Sequence, residues 1–322
     1  MVSSARAEET RVWVILEAEG AAEAMTLRGL TRAIAMFGVV WGCLWCGAAH
    51  AQEEAASPRP PSDTVLLRYK PVLGDTVEYQ FDFVSRFDIE DRIGIRYDRT
   101  DVTMLARVTQ KVTEVRPDET AVVDTTSQLV EMTPESDDEF VPIRNLITMD
   151  NQRRLLEIVD APGENTAETD AGWRNLVVQA MNSLSFPDEP IRIGDRWERI
   201  HTLTMPETGT VTEMEVKSQL TDRMLDGDRW VSLVSAEAQI PLDLRTGDTR
   251  VAGNIGLHLR LEVYEDDGGL RYVRGWGRGS AKPDLKVRVA KIKIVVDDMH
   301  FQRFMPDGSL LPSVKGEDAP KE

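Results

Sequence analysis

The stretch EPIRIGDRWERI, residues 189–200, decides how this chain is read, because its letters GDRW return at Gly227-Asp228-Arg229-Trp230. A tetrapeptide with two charges and a tryptophan, used twice, is either a chemical signature or the punctuation of a fold. Glycine takes positive φ without strain, and Asp can bond its own backbone in a turn. On that reading Gly-Asp bends the chain, and Trp197 and Trp230 open the strands after each bend. Trp230, Ser232 and Val234 then share a parity, as a strand with one buried face requires. A catalytic role would need both copies to converge on one site, and nothing in their spacing demands it.

A second comparison widens the argument. YKPVLGDTVEYQ, residues 69–80, matches residues 189–200 in having a proline, an apolar lead-in, Gly-Asp, one polar residue, then Val77 or Trp197 and a glutamate. Each copy is followed by a long strand, a tight turn at Pro117-Asp118 or Asp226-Gly227, and a return strand. The chain therefore reads either as an imperfect internal duplication or as convergent turn chemistry.

Elsewhere the pattern is period two. Val77, Tyr79, Phe81, Phe83 and Phe87 lie on one parity and Glu78, Gln80, Asp82 and Arg86 on the other. The same alternation runs through Val102–Val108 and Leu257–Val263. Within 284–296 the parity switches near Val289-Ala290, which predicts a bulge. One segment departs from this. In residues 166–184, Trp173, Leu176, Val177, Ala180, Met181 and Leu184 recur at helical spacing, with Thr169 or Asp170 as N-cap and Pro187 beyond the end. Burying five such side chains contributes roughly 1.5–3 kcal/mol each before entropy. The helix is therefore expected across one face of the sheet.

Targeting bounds the rest. Arg28 and Arg32 precede an apolar run from Ala33 to Ala48 that ends at Ala49-His50-Ala51, the parts of a secretory signal peptide over 25–51. Lipoprotein anchoring at Cys43 or Cys46 is not expected, because Trp41 sits where small residues belong. Residues 1–24 are acidic and read as an over-extended start. The expected organisation is then a disordered linker at 52–63 and a single β-rich domain at 64–304. Halves 64–160 and 186–304 are joined through helix 169–184, and a disordered tail follows over 305–322. Both cysteines leave with the signal, so no disulfide or thiol chemistry remains. A net charge of −17 disfavours nucleic acid and anionic lipid surfaces, and no membrane span is expected in the mature chain.

Searching for chemistry returns little. His201, His258 and His300 show no metal-binding spacing, and no G-x-S-x-G elbow occurs. The run Gly275, Gly277, Gly279 lacks the helix a phosphate cradle needs, and reads as a strand that a neighbour approaches closely. Asp297-Asp298 near His300 carries the residue types of acid–base work. Adjacent strand residues point to opposite faces, however, so the pair reads as a strand terminus. No catalytic, cofactor or metal residues are assigned.

The segments VLLRYKPVLGDTVEYQFDF, ITMDNQRRLLEIV, FPDEPIRIGDRWE and LHLRLEV together resemble an uncharacterised family of secreted bacterial β-rich proteins, a domain of unknown function. The architecture is similar to the lipoprotein-carrier half-barrels. That resemblance implies a large curved antiparallel sheet, a half-barrel or open barrel, with one α-helix on its concave face. It also implies a lipophilic ligand, by fold analogy alone. The expected protein is an exported, non-enzymatic, periplasmic or extracellular envelope protein. Its partner is a lipophilic small molecule or another envelope protein. An apolar cavity is expected at Tyr79, Phe81, Phe83, Trp173, Val177 and Met181, with ordinary core as the competing reading. A structural module with a filled core is the alternative function, and a hydrolase-type enzyme ranks last.

Overall fold

The structure is a computed structural model and describes residues 62–91, 96–134, 142–161, 185–204, 211–246, 249–283 and 289–314. Eleven strands form one antiparallel sheet: β1 (Thr76–Asp91), β2 (Arg96–Val115), β3 (Ala121–Thr133), β4 (Ile143–Met149), β5 (Leu155–Asp160), β6 (Arg196–Thr204), β7 (Val211–Asp226), β8 (Arg229–Thr246), β9 (Thr249–Tyr264), β10 (Leu270–Pro283) and β11 (Val289–Arg303). Their spatial order is β5-β4-β3-β2-β1-β11-β10-β9-β8-β7-β6. Two meanders, β1 to β5 and β6 to β11, are thus joined where the first strand pairs with the last, as at Phe81↔Phe301. The sheet is open, because its edges β5 and β6 do not pair with each other.

At one rim those edges are tied together. Val65 and Ile191 form an antiparallel bridge, Tyr69 N–H donates to the Asn151 carbonyl, and Phe186 N–H donates to that of Gln152. Such ties curl the sheet and separate a concave from a convex face. Arg153 is buried here with φ 58°. It lies over the rings of Tyr69 and Phe186 and donates to the Gly268 carbonyl at 3.2 Å.

The Gly-Asp pairs act as turns. Gly74 has φ 89° and Gly194 φ 96°, where a Cβ would strain the backbone. Each makes the same bonds. Gly74 N–H donates to Val112 and Val112 N–H returns to Asp75, while Gly194 N–H donates to Leu220 and Leu220 N–H returns to Asp195. Gly227, in the second GDRW, sits at φ 64° between β7 and β8, and Glu119 takes φ 63° in the matching β2–β3 turn. Trp197 packs against the core while its Nε1–H bonds the Ser185 carbonyl.

The core is the concave face. From β1 it takes Tyr79, Phe81, Phe83 and Phe87, from β2 Val102 to Val108, from β9 Ile255 to Val263, and from β11 Ile292, Ile294, Met299 and Phe301. The bulge expected near Val289-Ala290 is present, since Glu90 pairs with Lys291 but Asp91 with Val289. A second, unexpected bulge lies at Asp297, between Val84↔Asp298 and Ser85↔Val296. It resets the parity from Val296 to Met299 and places Asp297-Asp298 inside β11, correcting their reading as a strand terminus.

Two boundaries also change. Residues 304–314 are not a free tail but fold back on the convex face. There Leu311 packs with Val231, Leu233 and Tyr264, and its N–H donates to Arg303. The linker's last residues are likewise held, since Arg223 donates to the Ser62 carbonyl at 2.6 Å. No helix occurs among the described residues. The helix expected over 169–184, and with it Trp173, Val177 and Met181, lies outside them, as do residues 1–61.

Candidate functional site

Two faces of one sheet offer two candidates. On the concave side, β1 places Tyr79, Phe81 and Phe83 in a row, at 0 %, 1 % and 4 % exposure. Tyr79 stacks on Phe301 with centroids 4.5 Å apart and donates its hydroxyl to the Leu270 carbonyl at 3.3 Å. Phe81 and Phe83 lie 6.1 Å apart. Three of the six residues expected to line an apolar cavity are therefore adjacent on the concave face, and the other three lie outside the described residues. The row continues across β10, which contributes Leu270 at its start and then only Val273, Gly275, Gly277, Gly279 and Ala281. The glycines do what close approach requires. A Cβ on Gly277 would stand 2.3 Å from the Gly256 carbonyl oxygen, and one on Gly275 would stand 2.5 Å from the Met299 methyl.

The opposite parity of β10 carries Tyr272, Arg274, Trp276 and Arg278 onto the convex face. Sequence reasoning passed over them, although the alternation of glycines with large polar side chains was visible. Arg274 forks onto Asp298, with both nitrogens at 3.1 Å, and His300 Nε2 lies 2.7 Å from the same carboxylate. Tyr272 hydroxyl bonds His300 Nδ1 at 3.0 Å. Burial pushes the Asp298 carboxyl up, but its bonds to His300 and Arg274 outweigh burial and hold it below the usual carboxylate range. The tyrosine is buried and the histidine is fixed between two partners, so this chain of bonds is an anchor for the β11 bulge.

Beside it opens a cleft of about 460 Å³, lined among others by Gln239, Gly256, His258, Trp276, Arg278 and Asp297. His258 stacks on Trp276 at 6.0 Å, and Arg260 lies over the indole at 5.3 Å. A larger cleft of about 1050 Å³ lies at the rim between Gly74–Glu78, Arg107 and the 304–311 segment.

A third charge cluster is structural. Arg271, 3 % exposed, pairs with Glu262 and with Asp226 at 2.7 Å. Burial works against its charge, yet these carboxylates hold its pKa above the ordinary arginine value. Glu262 in turn accepts from Ser313 Oγ and from Val314 N–H at 3.0 Å, and Arg271 donates to the Pro312 carbonyl. The pair thus docks the backbone of the C-terminal segment. Among the described residues no group of three or more His, Cys, Asp or Glu is placed to hold a metal ion.

No family model matches the chain, and no curated protein matches it. Among solved structures it is similar to a protein from Bacteroides fragilis described as exported and of YmcC-like fold, with TM-score 0.28 and 10 % identity over 72 % of this chain and 98 % of that one. It is also similar to a porin variant from Rh. blastica, with TM-score 0.23 and 10 % identity over 71 % of this chain and 99 % of that one. Likeness this distant does not bear on the function of the chain.

Proposed function

We propose that this chain is an exported, non-enzymatic envelope protein that holds an apolar guest against the concave face of its sheet. The observation that supports the reading is the continuity of that face. Tyr79, Phe81 and Phe83 on β1, Met104 and Val108 on β2, Leu257 and Leu259 on β9, and Met299 and Phe301 on β11 form one apolar surface with no charged residue between them. A cradle of this kind recognises area rather than functional groups, and suits an acyl chain or a flat hydrocarbon. The matched bonds at Gly74 and Gly194 support reading the sheet as two related meanders set side by side, which would build a wide apolar face from one repeated plan.

The second reading is a filled core serving an interaction module. The depth of burial favours it, since Tyr79 and Phe81 are almost wholly covered without any guest. Native mass spectrometry of protein taken from its own host compartment separates the two. A carrier retains an apolar mass that is released on denaturation. Protein that is bare in repeated preparations, and that takes up no dansyl-labelled fatty acid, overturns the carrier and leaves the filled core.

A further inference from the structure

We infer that the convex-face cleft at Trp276 is a saccharide site that takes the ring of a neutral hexopyranose. Four features converge there. The indole of Trp276, half-buried, forms an apolar wall of the width a sugar ring needs. β9 supplies both groups that lie against this indole, His258 and Arg260, while β11 supplies Asp297 on the opposite flank of the cleft. The floor is Gly256, between its cross-strand neighbours Gln239 and Arg278, and the missing side chain lets the Gln239 amide lie across it into the cleft. The bulge at Asp297 turns that carboxylate, 43 % exposed, toward the cleft, and bulges commonly re-aim a side chain in this way.

The polar set fits hydroxyl recognition. The Gln239 amide both donates and accepts, the Asp297 carboxylate accepts two hydrogen bonds from vicinal hydroxyls, and Arg278 donates two. The charges decide against an anion. Arg274 and Arg278 face Asp297 and Asp298 across the same cleft, so its lining has two cationic and two anionic side chains, beside an imidazole. Arg274 is already committed to Asp298, and Asp297 lies 3.7 Å from Arg86. The volume of about 460 Å³ falls within the roughly 300–1,000 Å³ of small-ligand clefts. This site lies on the face opposite the apolar cradle and does not depend on it.

The test is affinity gel electrophoresis of the purified chain through dextran, laminarin, hydroxyethyl cellulose, soluble mannan and, as the anionic control, polygalacturonate. Retardation by at least one neutral polysaccharide is expected, confirmed by quenching of tryptophan fluorescence with the matching oligosaccharide. Trp276→Ala lowers that affinity at least about tenfold, and Gln239→Ala, an exposed substitution that leaves the sheet intact, lowers it about threefold. No retardation by any neutral member, retardation by polygalacturonate alone, or binding that both variants retain in full would each overturn the assignment.

Discussion

Replacing Arg271 by methionine tests whether the C-terminal segment is held by a buried charge pair. Arg271 and Glu262 are 3 % and 5 % exposed at the side chain, so each charge depends on the other and on Asp226. Truncating one member of a buried pair typically costs about 3–5 kcal/mol, because the partner's charge is left without compensation. Glu262 retains two donors here, Ser313 Oγ and Val314 N–H, which places Arg271→Met near the lower end, about 3 kcal/mol. The double variant Arg271→Met/Glu262→Met removes both charges. Its cost is the three contacts to residues 312–314, each worth about 0.5–1.5 kcal/mol. Together these come to about 1.5–4.5 kcal/mol, so the double variant should be about as stable as Arg271→Met alone rather than far less stable. Urea unfolding at neutral pH, followed by tryptophan fluorescence, reads both numbers. Limited proteolysis in parallel should show cleavage within 305–314 in both variants. A cost below about 1 kcal/mol for Arg271→Met, or single costs that simply add in the double variant, would refute a coupled pair.

Other positions give sharp expectations. Gly194→Ala should destabilise by about 1–2 kcal/mol in thermal or urea unfolding, through φ alone, since no atom lies within 4 Å of the added methyl. Gly277→Ala should cost more, because its methyl would meet the Gly256 carbonyl at 2.3 Å; equal costs would contradict the close packing of β9 and β10. Glu119→Gly should stabilise by roughly 0.5–1 kcal/mol if Glu119 stands where Gly227 stands, the lost bond to Asn151 being exposed. Asp298 is held below the carboxylate range, so its contribution is present above the unfolded value and lost as pH falls through the folded one. Wild type should accordingly lose stability more steeply than Asp298→Asn between about pH 5 and about pH 2, and parallel slopes would remove Asp298 from that role.

How legible each feature was in the sequence depends on the range over which its physics acts. Alternation in β1 is local, so Tyr79, Phe81 and Phe83 were placed on one buried face correctly. Gly-Asp turns are local too, and the φ values at Gly74, Gly194 and Gly227 obey a rule that needs no partner. The docked segment was missed because its cause is distant. Residues 310–314, Leu-Leu-Pro-Ser-Val, are too few to show a period, and the carboxylate that captures Val314 lies 52 residues away. The convex cleft was missed for two reasons. Gln239, His258, Trp276 and Asp297 come from four different strands, and only the order β8-β9-β10-β11 assembles them. Asp297-Asp298 was set aside on the rule that neighbours in a strand face opposite ways, and a bulge is the feature that suspends that rule. One signal was nevertheless in plain view. A strand that gives glycines to one face, at 275, 277 and 279, and Tyr272, Arg274, Trp276 and Arg278 to the other has its large side chains on the outside. Core packing accounts for the inward glycines, whose space Leu257, Leu259 and Met299 fill, but not for the large side chains on the outward parity. An aromatic and two arginines kept outward on a central strand are the mark of a face that meets something other than its own core.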